Sequence, residues 1–337
     1  MISIIIPVHN GEKNLETCLR HIDESTYKDY EIIVVDDCSD DGSGEIAKRY
    51  TENVIRLEKR SSPAMARNLG SQKAKGDILL FIDADIFIMT DTIHRIANFL
   101  NKNKHIDGVT GLYAEQSPSL NFCSCYKYLY LRYKFINMPE FVSVPNTALL
   151  AVREESFRKV KGFNTNMFTC EDFEFGQRFC KAGYRIYNDK TLEVIHNRYF
   201  SFRTLIYDDF IKAVNLTQLF LNWKKDIYRH PGERGILSIS NKQLAGVILT
   251  VLLVIDLNLL FFYLSPWFMA VGLILLLLTI IANMDFWHFQ WKNKSVRFKI
   301  LSFLFTYFEH LLSAIAVITA IFRKVLKKSK SDFGLTQ

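Results

Sequence analysis

Runs of consecutive apolar residues, each closed by a polar turn, alternate with helical periodicity through the first third of the chain. Ser3–Val8 is a β-branched run that meets Asn10-Gly11, and a helical pattern follows over Asn14–Ser25. Glu31–Val35 is a second apolar strand closed by Asp36-Asp37, followed by a helix over Ser43–Arg49 and a short strand over Val54–Leu57. Helix Pro63–Ala74 stops before Gly76, and strand Asp77–Ile82 runs into Asp83-Ala84-Asp85. Strands that are apolar on both faces and separated by helices predict a mostly parallel sheet covered on both sides, an α/β fold. Such sheets bind ligands at the carboxyl ends of their strands, where Asn10, Asp36, Asp37, Asp83 and Asp85 all fall. Further on, Gly108–Ala114 and Thr147–Val152 read as strands and Glu171–Ala182 as a helix stopped by Gly183.

Beyond about residue 243 the pattern changes to long apolar runs. Leu244–Leu264, Trp267–Trp287 and Ile300–Phe322 are each near the ~20 residues that cross a bilayer. The uncharged Ser265-Pro266 turn makes the first two a hairpin. Lys224, Lys225, Arg229, Arg234 and Lys242 precede it, and Lys292, Lys294, Arg297 and Lys299 follow it, which places both flanks in the cytoplasm. The third run carries Glu309-His310 near its middle and a basic tail that would be exported if it crossed. Three crossings are expected, with Glu309 and His310 facing partners inside the bundle; a re-entrant or interfacial segment is the alternative. Two aromatic stretches, Phe122–Phe135 and Phe202–Trp223, mix rings with Lys and Arg at helical spacing and suit core packing or a membrane interface.

Composition sharpens this division. Of 337 residues, 49% are apolar and 14% aromatic, and the net charge of +7 follows from the basic flanks of the apolar runs rather than from a nucleic-acid footprint. Six cysteines show no paired spacing, so free thiols are expected. The first residues read as a buried strand and not as a signal peptide. Gly42-Ser43-Gly44 imitates a dinucleotide fingerprint, but it follows the second strand and reads as a turn and helix start.

The strongest chemical signal is Asp83-Ala84-Asp85 beyond a buried strand, because two carboxylates at that spacing can reach one hard cation together. Asp37 could accept from a base or ribose hydroxyl, Pro7, His9 and Asn10 could pack against a base, and Arg67 is a candidate cation for phosphate.

The ordered motifs Ser3-Ile-Ile-Ile-Pro7-Val-His-Asn10, Val34-Val-Asp-Asp37-Cys-Ser, Ala66-Arg67-Asn68-Leu-Gly70 and Gly76-Asp-Ile-Leu-Leu-Phe-Ile-Asp83-Ala-Asp85 resemble the family 2 glycosyltransferases of the GT-A fold. Gly162-Phe163-Asn164 and Glu171-Asp172, followed by Arg178 and Gly183, continue the pattern to about Asn197. The resemblance implies a Rossmann-like nucleotide-diphospho-sugar transferase fold and a divalent cation, Mg²⁺ or Mn²⁺. Pro7, His9 and Asp37 would hold the base of a UDP- or GDP-sugar. Asp83 would serve ribose or metal, Asp85 the metal, Asp172 would be the general base with Glu171 beside it, and His196 would approach the metal or diphosphate. His9 stands where members often carry Tyr, and the usual Asn-Glu becomes Asn10-Gly11-Glu12, so Glu12 is carried over at a shifted position.

The implied organisation is a catalytic domain over residues 1–225, with a nucleotide-binding half to about 110, an acceptor half to about 200 and an interfacial helix over 202–223. A basic linker (226–242), membrane helices (243–323) and a basic tail (324–337) follow. The implied reaction is inverting transfer to a hydroxyl of a glycan or lipid-linked glycan at the cytoplasmic membrane face, with membrane lipid as neighbour and no nucleic acid. A polyprenyl-phosphate sugar transferase would carry a Gln-His-Pro-Pro-like run where Ile86-Phe87-Ile88-Met89 stands, and a processive synthase a Gln-x-x-Arg-Trp motif that is absent. A non-catalytic membrane scaffold is the third alternative, against which Asp83, Asp85 and Asp172 all stand intact.

Overall fold

In a computed structural model of the chain, the described residues are 1–115, 121–167, 169–223, 227–228, 241–292 and 294–332. They divide into two units, one within Met1–Leu120, Lys134–Tyr199 and Tyr228–Glu233, the other within Asn121–Tyr133, Phe200–Ile227 and Arg234–Gln337.

The first unit is built on an eight-stranded sheet. Its strands are β1 (Ile2–Val8), β2 (Tyr30–Asp36), β3 (Val54–Arg56), β4 (Ile78–Ile82), β5 (Ile86–Ile88), β6 (Gly108–Tyr113), β7 (Leu149–Arg153) and β8 (Ile186–His196). The order across the sheet is β3-β2-β1-β4-β7-β6-β8-β5. The predicted apolar runs are the central strands: β1 and β4 are buried almost throughout, because helices cover both faces. Those helices are α1 (Glu12–Asp23), α2 (Ser43–Lys48), α3 (Pro63–Lys73), α4 (Thr92–Lys102), α6 (Glu154–Lys159) and α7 (Glu171–Lys181), with α5 (Phe122–Ile136) lying mostly in the second unit. Ser62 caps α3 by accepting from the Met65 N–H, with Pro63 at the first helical position, the favoured N-terminal arrangement. Gly70 lets α3 sit directly on β1: a Cβ there would stand 2.5 Å from Ile5 Cγ2.

Strand direction decides where the chemistry falls. β1 pairs in parallel with β2 and β4, while β7 is antiparallel to both β4 and β6. Two reversals restore the direction, so β6 runs with β4, and β8 runs parallel to β6. The carboxyl ends of β1, β2, β4, β6 and β8 therefore share one edge of the sheet.

The second unit is helical. α8 (Phe202–Trp223), α9 (Asn241–Tyr263), α10 (Pro266–Trp291) and α11 (Val296–Asp332) join most of α5. Asn241–Tyr263, Pro266–Trp291 and Val296–Leu326 are long and apolar enough to cross a membrane. α9 and α10 approach through small residues: a Cβ on Gly272 would meet the Asp256 carboxylate, and one on Gly246 would meet His310 and Asn283. Glu309 and His310 both find partners inside the bundle. Tyr126 donates to Glu309 Oε2 at 2.7 Å, and His310 Nδ1 bonds the Thr250 hydroxyl at 2.8 Å. All six cysteines are free thiols, as their spacing predicts.

Candidate functional site

The first loops of the shared edge are laced together. His9, just past β1, bonds the Asp37 carbonyl through Nδ1 at 2.8 Å, and Pro7 is half-buried within the strand opposite Val35. Asn10 takes a left-handed backbone (φ 51°), which short polar side chains tolerate. Its Oδ1 accepts from the Asp40 N–H and its own N–H donates to Ser39. Glu12 spends its carboxylate on the Gly42 N–H at 3.3 Å. Asn10 and Glu12 thus tie the loop after β1 to the loop after β2. Asp37 is buried, and its Oδ1 accepts from both the N–H and the hydroxyl of Ser61, at 2.7 and 2.8 Å.

Arg67 is the centre of the site. It lies on α3 with only 3% exposure, donating from Nη2 to Asp83 Oδ1 at 2.7 Å and from Nη1 to Glu171 Oε1 at 2.9 Å. Burial alone would lower the guanidinium's pKa, but Asp83 and Glu171 outweigh it and hold the charge on. Glu171 answers in kind: burial pushes its carboxyl above the ordinary value, Arg67 opposing and Asp172 adding to the rise. Asp172, one residue on, takes no part in this brace. Its Oδ1 accepts from the Phe173 N–H at 2.8 Å at the start of α7, where the helix dipole favours negative charge.

A second clamp holds Arg67 from below. The Phe163 ring lies under its guanidinium, 5.6 Å from ring centroid to Cζ, and Asn68 pins the Phe163 backbone through both its N–H and its carbonyl, each at 2.8 Å. Arg178 grips Glu174 with two bonds and donates to the Gly162 carbonyl at 2.7 Å, fixing the same loop to α7. Gly162 has φ +65°, and a Cβ there would stand 2.5 Å from Asn68 Oδ1. Gly162→Ala is expected to cost about 1–2 kcal/mol from the left-handed backbone alone, read as a lower thermal midpoint with the Phe163 clamp loosened.

Asp85 faces His196 across the sheet edge, Oδ2 to Nε2 at 3.4 Å. Burial would raise the Asp85 carboxyl, yet His196 and Arg198 hold it below the usual carboxylate range. The two residues meet because β5 pairs with β8 and the Asn197 N–H donates to the Asp85 carbonyl. His196 stacks on Tyr113, ring centroids 4.9 Å apart. The Tyr113 hydroxyl donates to Asn146 Oδ1 at 3.1 Å, and burial together with Asp83, Asp85 and Asp172 raises its pKa. Tyr113 and Asn146 join the candidate site without belonging to any of its motifs.

Among the described residues, no group of three or more His, Cys, Asp or Glu side chains is gathered as a ready metal cage. The expected trio of Asp83, Asp85 and His196 is divided, Asp83 turned to Arg67 and Asp85 to His196. The Asp85–His196 pair, one oxygen and one nitrogen donor with Asp83 two residues away in sequence, nonetheless fits a cation that completes its shell with phosphate oxygens and water.

The family model "Glycosyl transferase family 2" matches residues 3–153. Glycosyltransferase GlyG of Streptococcus pneumoniae is 34% identical over 124 residues, 35% of this chain and 41% of that protein. A poly(ribitol-phosphate) beta-glucosyltransferase of Bacillus spizizenii is 39% identical over 111 residues, 31% of this chain and 18% of that protein. The chain spans 41–60% of the length of the curated relatives it matches first. The solved mannosyltransferase PcManGT from Pyrobaculum calidifontis, in complex with GDP-Man and Mn²⁺, shares the fold at 17% identity and a TM-score of 0.59, covering 94% of this chain and 86% of that one. Residues 3–153, somewhat under half of the chain, thus match the glycosyl transferase family 2 model, and the sheet whose edge gathers their carboxylates shares the fold of the solved mannosyltransferase.

Proposed function

We propose that the chain transfers a sugar, with inversion at the anomeric carbon, from a UDP- or GDP-sugar to a hydroxyl of a glycan or lipid-linked glycan at the cytoplasmic membrane face. The observation that carries this is the contrast between the paired carboxylates: Arg67 neutralises Asp83 and Glu171, while Asp172 lies outside that brace. A base must be free to accept a proton, and Asp172 is the member of the Glu171-Asp172 pair without an ion-pair partner among the described residues. The poly(ribitol-phosphate) glucosyltransferase among its relatives favours cell-envelope polysaccharide or glycolipid as the setting.

The residues divide the work. Asp37, with Oδ1 engaged by Ser61, offers Oδ2 to a base or ribose, and Pro7 and His9 flank it. Arg67 fixes the orientation of Asp83 toward the donor. Asp172 takes the proton of the acceptor hydroxyl as its oxygen bonds the anomeric carbon and the bond to the diphosphate breaks. A divalent cation, held by Asp85 with His196 and Asp83 near it, would neutralise the charge on the departing diphosphate. The α9–α10 hairpin anchors the protein, and the basic residues that flank it favour the cytoplasmic side for the catalytic unit.

A screen of nucleotide sugars by thermal stabilisation, with and without Mn²⁺, tests the reading and identifies the donor. Asp85→Ala is expected to abolish the Mn²⁺-dependent part of the stabilisation and to leave any metal-independent base contact in place. Equal Mn²⁺ dependence in that variant would remove Asp85 from the metal site.

A further inference from the structure

α8 and α11 lie side by side and run in the same direction. Phe202 packs on Phe305 and Phe308, with ring centroids 6.0 and 6.1 Å apart. Further along, Val214 shares a buried cluster with Ala316 and Ala320. Towards the far ends Lys324 Nζ donates to the Leu221 carbonyl at 2.7 Å. Rising residue number on one helix meets rising number on the other over most of the length of α8, so the two share one path.

That path is constrained by what flanks α8 in the chain. Tyr199 before it and Tyr228 after it both belong to the sheet unit. Tyr228 is held there by Gln177 of α7, its N–H donating to Oε1 at 2.7 Å and its carbonyl accepting from Nε2 at 3.2 Å. Five steps of chain separate Trp223 from Tyr228, at most roughly 18 Å when fully extended. The hydrocarbon core is ~30 Å thick, and the charged sheet unit occupies one side of it. A helix of 22 residues, about 33 Å long, that crossed would deliver Trp223 to the opposite face with too little chain to return. By connectivity alone, α8 begins and ends on the catalytic side.

Charge points the same way. α8 carries Arg203, Asp208, Asp209 and Lys212, Lys127 of α5 pairs with Asp209, and Glu309 of α11 accepts from Tyr126. A cluster of this size is costly in hydrocarbon. Arg323 and Lys324, with Lys327, Lys328 and Lys330 further along the sequence, would be exported by a crossing against the positive-inside tendency.

We propose that α11, although apolar enough to span, lies with α8 in the membrane–water boundary of the leaflet facing the catalytic unit, so that among the described helices the α9–α10 hairpin alone crosses. Its lipid-facing surface is the exposed row Ile300, Leu304, Ile315, Ile318, Phe322 and Val325, recurring at helical spacing. The basic residues that end the helix match an anionic headgroup layer. The inference rests on the anchor reading above only for the hairpin. Reporters in the full chain, expressed in a bacterial inner membrane, separate the two. Alkaline phosphatase, active only outside, and a green fluorescent protein, fluorescent only inside, are placed in the Ser265-Pro266 turn and after Gln337. The expected result is phosphatase activity at the turn, with loss of phosphatase activity to background and retained fluorescence at Gln337. Phosphatase activity at Gln337 overturns the inference. Fluorescence at both positions supports an in-plane α11 while overturning the hairpin crossing.

Discussion

Asp172→Asn is expected to lower turnover by ~10²–10⁴, the usual worth of a general base, while donor affinity stays near that of the unsubstituted protein. The amide is isosteric and still accepts from the Phe173 N–H through its oxygen, so the start of α7 keeps its geometry. What it loses is the lone pair that would receive the acceptor's proton. Glu171→Gln makes the informative comparison. That substitution keeps an oxygen able to accept from Arg67 Nη1, but it removes the negative charge and leaves a buried guanidinium with half its charge compensation. It is expected to reduce stability together with turnover, whereas Asp172→Asn reduces turnover alone. Single-turnover kinetics with the identified donor, alongside calorimetric donor binding, read both. An Asp172→Asn enzyme with near-parental turnover would transfer the base assignment elsewhere.

The sheet edge was legible in the sequence because buried parallel strands are continuous apolar runs, and the residues that end such runs mark where ligands bind. That reasoning places His9, Asp37, Asp83 and Asp85 on one edge, where the strand directions bring them. It fails for β8, whose Asn188-Asp189-Lys190 interrupts the apolar pattern and whose middle residues Lys190 and Thr191 are exposed. It is also blind to direction: nothing in Leu149–Arg153 says that β7 runs antiparallel to its neighbours, yet this reversal is what turns Tyr113 and His196 toward Asp85. α4 carries its own local signal, since Ile93, Ile96, Ala97 and Leu100 recur at helical spacing and are buried. Other relationships have no local trace. Tyr113 meets Asn146 across 33 positions and Arg67 meets Glu171 across 104, and only the folded sheet relates them. The resemblance alone makes Asp172 the base and leaves Glu171 beside it without a partner; the fold adds the brace from Arg67, which engages Glu171 and not Asp172.

Arg67→Met is expected to destabilise the protein by about 3–5 kcal/mol, because removing one partner of a buried ion pair leaves uncompensated charge behind. Here two carboxylates are stranded at once, and Glu171 has little solvent to turn to. Arg67→Lys is expected to recover only part of the loss. A single ammonium cannot present two N–H groups along the separate lines to Asp83 and Glu171, and it lacks the flat face that lies over Phe163. The pH dependence follows from Glu171. Its carboxyl is already raised in the folded protein by burial, so it favours the protonated form more in the native than in the unfolded state. A raised acid contributes stability that is fully present below its ordinary unfolded value and is lost as pH rises through the folded one. Without Arg67 the opposing contribution disappears and the raise grows. The deficit of Arg67→Met relative to the parent should therefore shrink as the medium is acidified toward and below the ordinary Glu value, where a protonated Glu171 needs no cation. Thermal unfolding of both proteins in nanodiscs across acid to neutral pH measures this. A deficit that is constant or widens on acidification would mean that Glu171 is not the group Arg67 neutralises, and the contrast that singles out Asp172 as the base would go with it.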